Sequence, residues 1–449
     1  MPLRLLPIPF SPDIVNRSCP DILAVDDEAF IGYGRKYSLV QNGGGTLWLV
    51  TKESDGRDAR SRWGILVVIY LCMLSYAVTL QSIPPVMSLV IARFHLSHHE
   101  AGLLMSMFSL PGIFLCLPSG VLSDRYGAKP VGVAALILTI AGTFLVATGQ
   151  SFPMVLAGRT TAGVGAVALV IIAPKAIAQW FAGRELGVAM GIFNTAMPLG
   201  TISMLNTAPV LSALWGWRTS VWASLAFVVA ALVIFSTLYR NPMTVTEEKT
   251  KIGRSVGKVG QVGLPIRLVG ASWGFFNASV MSFFTFAPDF LVTKGLVLGK
   301  AGFDTSLVMI GSMLFSPVIG YLTDRVGHKA AFIGAGGVGM AALLLLVPLI
   351  GHGFAILFVG IGLTAALIPA PVYSLAADVV SRDRLGLGYG ILSTLNNVGM
   401  FVGPQIVGLT RDVTGAYTAS FWLMAFFAFL GTASMAVMRA TRRQICHTS

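Results

Sequence analysis

Apolar segments follow one another from Trp63 almost to the end of the chain, with short polar segments between them. Each is long enough for a helix to cross a hydrocarbon core of roughly 30 Å. Helices are required because lipid cannot satisfy free backbone N–H and C=O groups. The pattern predicts twelve spans, at 63–84, 99–121, 130–149, 153–175, 186–211, 217–238, 267–291, 302–322, 330–350, 354–376, 386–409 and 418–438.

Residues 1–60 follow a different pattern. They hold eight acidic and seven basic side chains and the run Gly43-Gly44-Gly45. The apolar stretch from Leu5 to Phe10 is short and is broken by prolines, which does not fit a secretory signal. We therefore expect a disordered cytoplasmic tail, with an overlong translation start as the alternative. The rest of the chain is predicted to form a six-helix bundle at 61–238, a cytoplasmic linker at 239–266, a second bundle at 267–440 and a tail at 441–449.

Composition and charge agree with a membrane protein. Hydrophobic residues make up 55% of the 449 residues and charged residues 11%, whereas soluble domains average about 25% charged. The net charge is +12, and sixteen Lys and Arg lie in the loops and tail predicted to be inside, against five in the outer loops. This bias predicts a multi-pass protein of the cell membrane (the inner or plasma membrane) with both termini in the cytoplasm. It also accounts for the charge without a nucleic-acid partner.

The chain contains an internal duplication. Span 2 is followed by Gly120-Val-Leu-Ser-Asp124-Arg125-Tyr-Gly127-Ala-Lys129, and span 8 by Gly320-Tyr-Leu-Thr-Asp324-Arg325-Val-Gly327-His-Lys329. Six of the ten positions are identical, at an offset of 200. Spans 5 and 11 open on a second matched pair, Leu186-Gly187 and Leu385-Gly386. Internal repeats of this kind are typical of secondary transporters, whose substrate site lies between the repeats near the midplane.

The doubled decapeptide resembles the G-x-L-x-D-R-x-G-R-K loop signature of the major facilitator superfamily. The chain departs from it at Ala128 and His328, where the family usually has a basic residue. Arg159, followed by Gly163 and Gly165, is also similar to the family's span 4. The resemblance covers residues 63–440 and implies an all-α membrane protein with twelve transmembrane helices in two pseudo-symmetric six-helix bundles.

The resemblance also implies a gating role for the duplicated loop. In the family fold, Asp124 would lie beside the start of span 11 and Asp324 beside the start of span 5, where the helix dipole favours an anion. Contacts that form in one conformation and break in the other bias the equilibrium between the two. The alternative is a topological anchor of positive charge, although an anchor needs no acid. The predicted gating residues are Gly120, Asp124, Arg125, Gly127, Lys129, Gly320, Asp324, Arg325, Gly327 and Lys329.

Charged residues within spans are candidates for function, and this chain has few. Arg159 lies in span 4, Lys175 at the inner end of that span and Asp289 at the outer end of span 7. Because an unpaired buried cation is costly, Arg159 favours an anionic ligand, with a structural role at a helix interface as the alternative. We expect Lys175 to extend to the inner interface. No Asp or Glu lies in the middle of a span, so proton coupling through a buried acid is not expected.

Spans 1, 4, 7 and 10 line the central cavity in the family fold. Polar side chains on these spans are therefore candidate substrate ligands, and helix–helix hydrogen bonds are the alternative for each. The amides of Asn396 and Asn397 add polar groups in span 11. The predicted substrate-binding residues are Tyr76, Gln81, Arg159, Asn277 and Tyr373.

Other motifs argue against an enzyme. The run from Gly334 to Gly339 matches GxGxxG, but it lies in span 9 rather than after a strand and indicates helix packing. No GxxxxGK[ST] motif provides an ATP site.

The four cysteines lack metal-ligand spacing. The outer-loop histidines His95, His98 and His99 are expected to be solvated, with metal binding or pH sensing as the alternative. We expect no catalytic residues, no cofactor and no metal.

The leading functional hypothesis is a secondary transporter that works by alternating access and moves a small organic or inorganic anion. Lys175, Trp180-Phe181 and Glu185 are similar to residues of the family's cyanate and organic-anion carriers. We expect a monomer and leave a coupling ion open. The alternative is an efflux antiporter for amphipathic or drug-like compounds, because Gly399 to Pro404 resembles the family's antiporter motif. A receptor or scaffold that uses the N-terminal tail is a third hypothesis.

Overall fold

The computed structural model describes residues 36–41, 47–52, 56–181, 185–241, 263–380 and 385–448. These residues fall into two compact units, one ending at Gly64 and the other beginning at Ile65. Most of the predicted linker at 239–266 and most of the predicted tail at 1–60 lie outside the described residues.

The N-terminal segment contains a β-hairpin that the sequence analysis does not predict. Strand β1 (Lys36–Gln41) pairs antiparallel with β2 (Leu47–Lys52), with Lys36 opposite Lys52 and Gln41 opposite Leu47. Both strands are rich in aromatic, β-branched and leucine side chains, which suit a pleated strand. The run Gly43-Gly44-Gly45 falls between them in the sequence, outside the described residues.

Eight helices build the six spans of the N-terminal half. They are α1 (Gly56–Leu80), α2 (Met87–Phe94), α3 (His98–Tyr126), α4 (Ala128–Thr148), α5 (Phe152–Trp180), α6 (Leu186–Asn194), α7 (Ala196–Trp215) and α8 (Arg218–Leu238). A capping box starts α3: the Ser97 hydroxyl accepts from the Glu100 N–H, and the Glu100 carboxylate accepts from the Ser97 N–H at 2.8 Å.

Seven helices build the six spans of the C-terminal half. They are α9 (Leu264–Thr293), α10 (Leu298–Val326), α11 (Lys329–Leu346), α12 (Phe354–Ala366), α13 (Pro369–Val379), α14 (Leu385–Thr414) and α15 (Tyr417–Thr448). Among the described residues, eleven helical segments are long and apolar enough to cross a membrane. Helix α14 is 30 residues long and forms the twelfth span. The amides of Asn396, Asn397 and Gln405 lower its hydropathy.

Three spans are broken near their centres. Span 1 passes from α1 to α2 through a 3₁₀ turn at Pro84–Val86, because proline lacks the N–H that would continue the helix. Span 10 breaks in the same way before Pro369, between α12 and α13. Span 5 breaks at Thr195, between α6 and α7, where the Thr195 hydroxyl donates to the Ile192 carbonyl at 2.7 Å.

The two halves repeat one pattern of helix packing. In the N-terminal half, α4 packs on α5, α3 on α5 and α4 on α8. The corresponding spans of the C-terminal half pack in the same pairs: α11 on α12, α10 on α12 and α11 on α15. Between the halves, α3 packs on α14 and α7 on α10, which joins spans 2 and 11 and, by the same symmetry, spans 5 and 8. The fold is therefore the predicted pair of pseudo-symmetric six-helix bundles.

The halves meet closely at the end of the spans that holds His98, which we call the His98 end. A Cβ added to Gly302 of α10 would collide with the Leu205 carbonyl of α7. A Cβ added to Gly408 of α14 would likewise collide with the His98 carbonyl. Small residues thus let backbones of opposite halves touch, and this end is closed.

The opposite end carries the duplicated loops, and we call it the motif end. A Cβ at Gly187 of α6 or at Gly320 of α10 would meet no atom within 4 Å. Arg125 and Arg325 are exposed. Spans 5 and 8, which touch near the His98 end, therefore do not pack closely at these glycines.

Candidate functional site

A cavity of about 70 Å³ lies between the two halves. A cavity needs roughly 10–15 Å³ to hold one water, so this one has room for a few waters or one small solute. Spans 1, 2 and 4 line one side, and spans 7, 10 and 11 line the other. The lining residues are Tyr76, Cys116, Val167, Val170, Ile171, Trp273, Tyr373, Ser393, Asn396 and Asn397.

The cavity reaches toward the motif end. Tyr373, on the part of span 10 that leads to that end, is 47% exposed although it lines the cavity. Nearby Tyr389 of α14 is 38% exposed, and the two rings lie 6.2 Å apart. With the His98 end closed, a solute would enter or leave between these tyrosines and α5.

Two of the five predicted substrate ligands, Tyr76 and Tyr373, line the cavity, and the other three lie outside its lining. Gln81 is buried just beyond the end of α1, and its Oε1 has no hydrogen-bond partner among the described residues. The Asn277 amide donates back to the Trp273 carbonyl at 2.8 Å, within its own helix. The structure therefore brings two predicted ligands together and holds three elsewhere.

Arg159 is 1% exposed and bonded on several sides. Its Nη1 donates to the Thr79 carbonyl at 2.9 Å, and its Nη2 donates to the Leu80 carbonyl at 3.2 Å. These carbonyls belong to the last turn of α1, where a helix leaves acceptors unsatisfied and carries partial negative charge. The guanidinium also lies 4.7 Å from the centre of the Phe108 ring of α3. In this conformation Arg159 ties spans 1, 2 and 4 together.

Uncharged donors and aromatic rings dominate the cavity wall. Trp273 lies edge-on to Tyr373, with ring centres 5.5 Å apart. The Asn397 amide nitrogen donates to the Ser393 carbonyl at 2.8 Å and lies 3.6 Å from the Cys116 sulfur across the interface with α3. The indole N–H of Trp273 can only donate, whereas the phenol O–H and side-chain amide groups can donate or accept. Of the lining residues among those the structure describes, none carries a charge.

Sequence reasoning did not select the residues of span 11 as ligands. The family pattern points to spans 1, 4, 7 and 10, yet Ser393, Asn396 and Asn397 of α14 also line the cavity. Their signal in the sequence is a pair of adjacent amides in an otherwise apolar span. Their position follows from the packing of α14 on α3, where a Cβ at Gly112 would collide with the Asn397 amide.

Lys175 lies one helical turn beyond Ile171 on α5. Because residues four apart share a helix face, Lys175 lies on the same face as Ile171, toward the motif end. It is half-buried. Lys175 therefore lies on α5 between the cavity-lining Ile171 and the end of the helix at Trp180.

The duplicated loops have matching backbone roles. Gly127 and Gly327 end α3 and α10 with φ of 86° and 72°, a region that glycine enters at little cost. Lys329 of the second loop binds Asp378 of α13 at 2.6 Å. The side chains of Asp124 and Asp324 lie outside what the structure describes, so the gating role of both loops stays a prediction.

The family is shown by comparison with known proteins. The Major Facilitator Superfamily model matches residues 69–303 and 298–445. The chain is 25% identical to the hexuronate transporter of Bacillus subtilis over 77% of its own length and 87% of that protein. It is 26% identical to the nitrite extrusion protein of the same organism, over 82% of this chain and 92% of that protein.

Further likenesses extend the comparison. The chain is 23% identical to the lysosomal dipeptide transporter MFSD1 of Danio rerio, over 83% of this chain and 86% of that protein. The fold superposes with a TM-score of 0.73 and 14% identity on a bacterial homologue of the human lysosomal transporter Spinster, solved in an inward-facing and occupied conformation. That match covers 86% of this chain and 98% of the other. The chain therefore belongs to the major facilitator superfamily and is a multi-pass membrane transporter, not an enzyme.

Proposed function

We propose that this protein is a secondary transporter that moves a small anion by alternating access. The observation that carries the proposal is a cavity between the halves whose polar lining groups can donate hydrogen bonds and whose described lining includes no carboxylate. Lys175 lies one helical turn beyond the lining residue Ile171, toward the motif end. We further propose that the motif end faces the cytoplasm, because most Lys and Arg of the loops lie there.

The donor set favours a negatively charged solute. Indole, phenol and amide donors can all bond to oxygen atoms, and hydrogen bonds to an ionised acceptor are about twice as strong as neutral ones. A buried carboxylate facing the solute would cancel this preference. The ammonium group of Lys175 adds attraction along the route, which is stronger where water is partly excluded.

The relatives support the same solute class. Hexuronate and nitrite, the solutes in two of the relatives' names, are anions, and a probable nitrate transporter of Staphylococcus epidermidis is 24% identical over 79% of this chain. The cavity volume of about 70 Å³ suits a planar inorganic anion in this conformation. A hexuronate would require the walls to separate further.

The closed His98 end and the exposure of Tyr373 toward the motif end support alternating access. One gate is shut by contacts between α3 and α14 and between α7 and α10. The opposite conformation requires these contacts to break and the symmetry-related contacts at the motif end to form. The predicted gating loops lie there.

The proposal is tested with purified protein in liposomes. Counterflow of labelled nitrite, nitrate and glucuronate is measured without ATP, for the wild type and for Lys175→Gln. Because a charge-assisted hydrogen bond contributes about 1.5–3 kcal/mol, we expect at least a tenfold rise in the half-saturating anion concentration. The matched control is Lys294→Gln at the His98 end, which should behave as the wild type. Absence of flux with every anion would contradict the proposal. So would a half-saturating anion concentration of Lys175→Gln equal to that of the wild type.

Efflux of amphipathic compounds is the second candidate, favoured by the aromatic wall formed by Tyr76, Trp273 and Tyr373. A neutral dipeptide and a lipophilic cation are therefore included as competitors. Competition by these compounds, with none by the anions, would select this second function.

A further inference from the structure

His98 joins the two halves at the closed end. It is the first residue of α3, in the N-terminal half, and its imidazole lies between two carboxylates of the C-terminal half. Nδ1 is 3.0 Å from Asp412 of α14, and Nε2 is 3.6 Å from Asp289 of α9. A neutral imidazole has one N–H and can donate to only one of these carboxylates, whereas an imidazolium can serve both.

Asp412 is held at the start of α3 by the backbone. Its two carboxylate oxygens accept from the N–H groups of His98 at 2.9 Å and of His99 at 2.7 Å. Partial burial is the largest single effect and opposes ionisation, but the two backbone hydrogen bonds and the interaction with the His98 side chain together hold the pKa of Asp412 below its usual range. Asp412, which lies beyond the predicted span 386–409, is therefore ionised at the pH values at which histidine titrates.

Asp289 is a nearly buried carboxylate, with 7% of its surface exposed. The Tyr417 hydroxyl donates to it. A buried carboxylate with one neutral donor is strongly stabilised by a nearby cation, because an unpaired buried charge is costly. His98 is within ion-pair distance of it, and the His98 ring also lies edge-on to Tyr417, with ring centres 5.7 Å apart.

Other charged groups around His98 do not replace this cation. The guanidinium of Arg411 lies over the Tyr417 ring, 4.9 Å from its centre, and repels a positive charge on His98. The Glu100 carboxylate is engaged by the N–H of Ser97. The titratable and charged groups that face His98 from the packed elements are Glu100 and His99 on α3, Asp289 on α9, Arg411 and Asp412 on α14 and Tyr417 on α15.

We propose that His98 is a proton-binding site, and that closure of the His98 end binds one proton on the imidazole bridging Asp289 and Asp412. The site lies apart from the solute cavity and goes beyond the proposed function. It rests on the alternating-access part of that proposal and not on the identity of the solute. The proton comes from, and returns to, the water on the side that the His98 end faces.

The linkage between proton and conformation follows from the charges. When His98 loses its proton, the two carboxylates lose the cation between the halves, and opening this end lets water solvate them. The state that binds the proton is favoured as the proton concentration rises. If one proton is bound on closure, the ratio of closed to open protein falls by up to about tenfold for each unit by which the pH rises. This mechanism needs no acid in the middle of a span.

The experiment measures the opening of the His98 end directly. Spin labels are attached to Ala92→Cys in the N-terminal half and Ile356→Cys in the C-terminal half, both exposed, after the native cysteines are replaced by alanine. Electron–electron distance distributions are recorded in lipid nanodiscs at several pH values from 5.5 to 8.5, without solute. We expect the short-distance population of the wild type to fall with rising pH, and the distribution of His98→Gln not to change with pH.

Two further variants make the test specific. Asp412→Asn removes one carboxylate partner and should move the midpoint of the transition to lower pH. His352→Gln, an exposed histidine in another loop, should keep the wild-type pH dependence. A wild-type distribution that does not change with pH, or a pH dependence that survives in a folded His98→Gln, would overturn the proposal. Because this measurement uses no solute, its outcome does not depend on whether the liposome experiment detects anion flux. Failure of this proposal and failure of the proposed function can therefore be told apart.

Discussion

The Nη1 atom of Arg159 lies 2.9 Å from the carbonyl oxygen of Thr79, in the last turn of α1. The sequence presents this arginine as an isolated cation in span 4 that favours an anionic ligand. In the fold, the cation faces the carbonyls that α1 leaves free where Pro84 and Pro85 interrupt span 1. The arginine thus stabilises a broken helix next to the cavity, and its role as a solute ligand stays a prediction.

Replacing Arg159 tests which role dominates. Arg159→Gln leaves buried carbonyls of α1 without their donors, at a cost on the order of 3 kcal/mol. We expect a clear fall in the thermal unfolding temperature in detergent. The stabilisation that a bound anion gives should stay equal in the two proteins.

The control is Arg93→Gln, because Arg93 is exposed and contacts the ring of Phe94. This variant should have the same thermal unfolding temperature as the wild type. If Arg159→Gln keeps its stability and loses only its response to anions, then Arg159 binds the solute and the structural role is wrong.

The closed gate gives a second prediction, at Gly302. A methyl group there would collide with the Leu205 carbonyl of α7, and a backbone atom cannot rotate away. Gly302→Ala should therefore disfavour the conformation closed at the His98 end and lower the rate of anion counterflow at least tenfold. Distances between labels across that end should lengthen.

Gly299→Ala is the matched control in the same helix. A Cβ at Gly299 meets no atom within 4 Å, and alanine has the higher helix propensity. Its flux and its label distances should equal those of the wild type. Equal flux in both variants would show that the contact between α7 and α10 does not form in the transport cycle.

The sequence predicts much of the fold, for a physical reason. Membrane spans are long apolar segments, and the duplicated loops place the two halves at a fixed offset. The glycines at 127 and 327 match because both loops need a positive φ. The break at Thr195 is not predicted, although Pro198 follows three residues later and lacks the N–H that would bond to the Asn194 carbonyl.

The site is less predictable because it depends on backbone atoms and on packing. The partners of Arg159 are carbonyls, which every residue carries and no sequence pattern reveals. Asn397 reaches the cavity because α14 packs on α3 at Gly112, a contact between segments nearly three hundred residues apart. The bridge from His98 to two carboxylates likewise forms only when the halves meet.

The amide of Asn396 provides a test of the cavity wall. Asn396 lines the cavity, and its nitrogen has only a weak contact, at 3.4 Å, to the Met400 sulfur. Asn396→Ala should raise the half-saturating anion concentration at least about tenfold, since a hydrogen bond to a charged acceptor contributes about 1.5–3 kcal/mol in proteins.

Asn206→Ala is the control for a partly buried amide in a span. The Asn206 amide donates to the Ile202 carbonyl in its own helix and does not line the cavity. Transport by this variant should match that of the wild type. If the two variants show the same affinity for anions, the solute does not contact Asn396.

The thiol of Cys116 offers a chemical test of the route to the cavity. Cys116 lines the cavity beside Asn397, whereas Cys72 lines a small apolar pocket with Ile69 and Tyr239. A small mercurial that enters from the motif end should react at Cys116 and block anion flux, because the bound metal occupies the space of the solute. Saturating anion should slow the reaction. Cys116→Ala should resist the reagent, and Cys72→Ala should remain sensitive. Equal inhibition of Cys116→Ala and the wild type would mean that the reagent acts elsewhere and that this cavity is not the transport route.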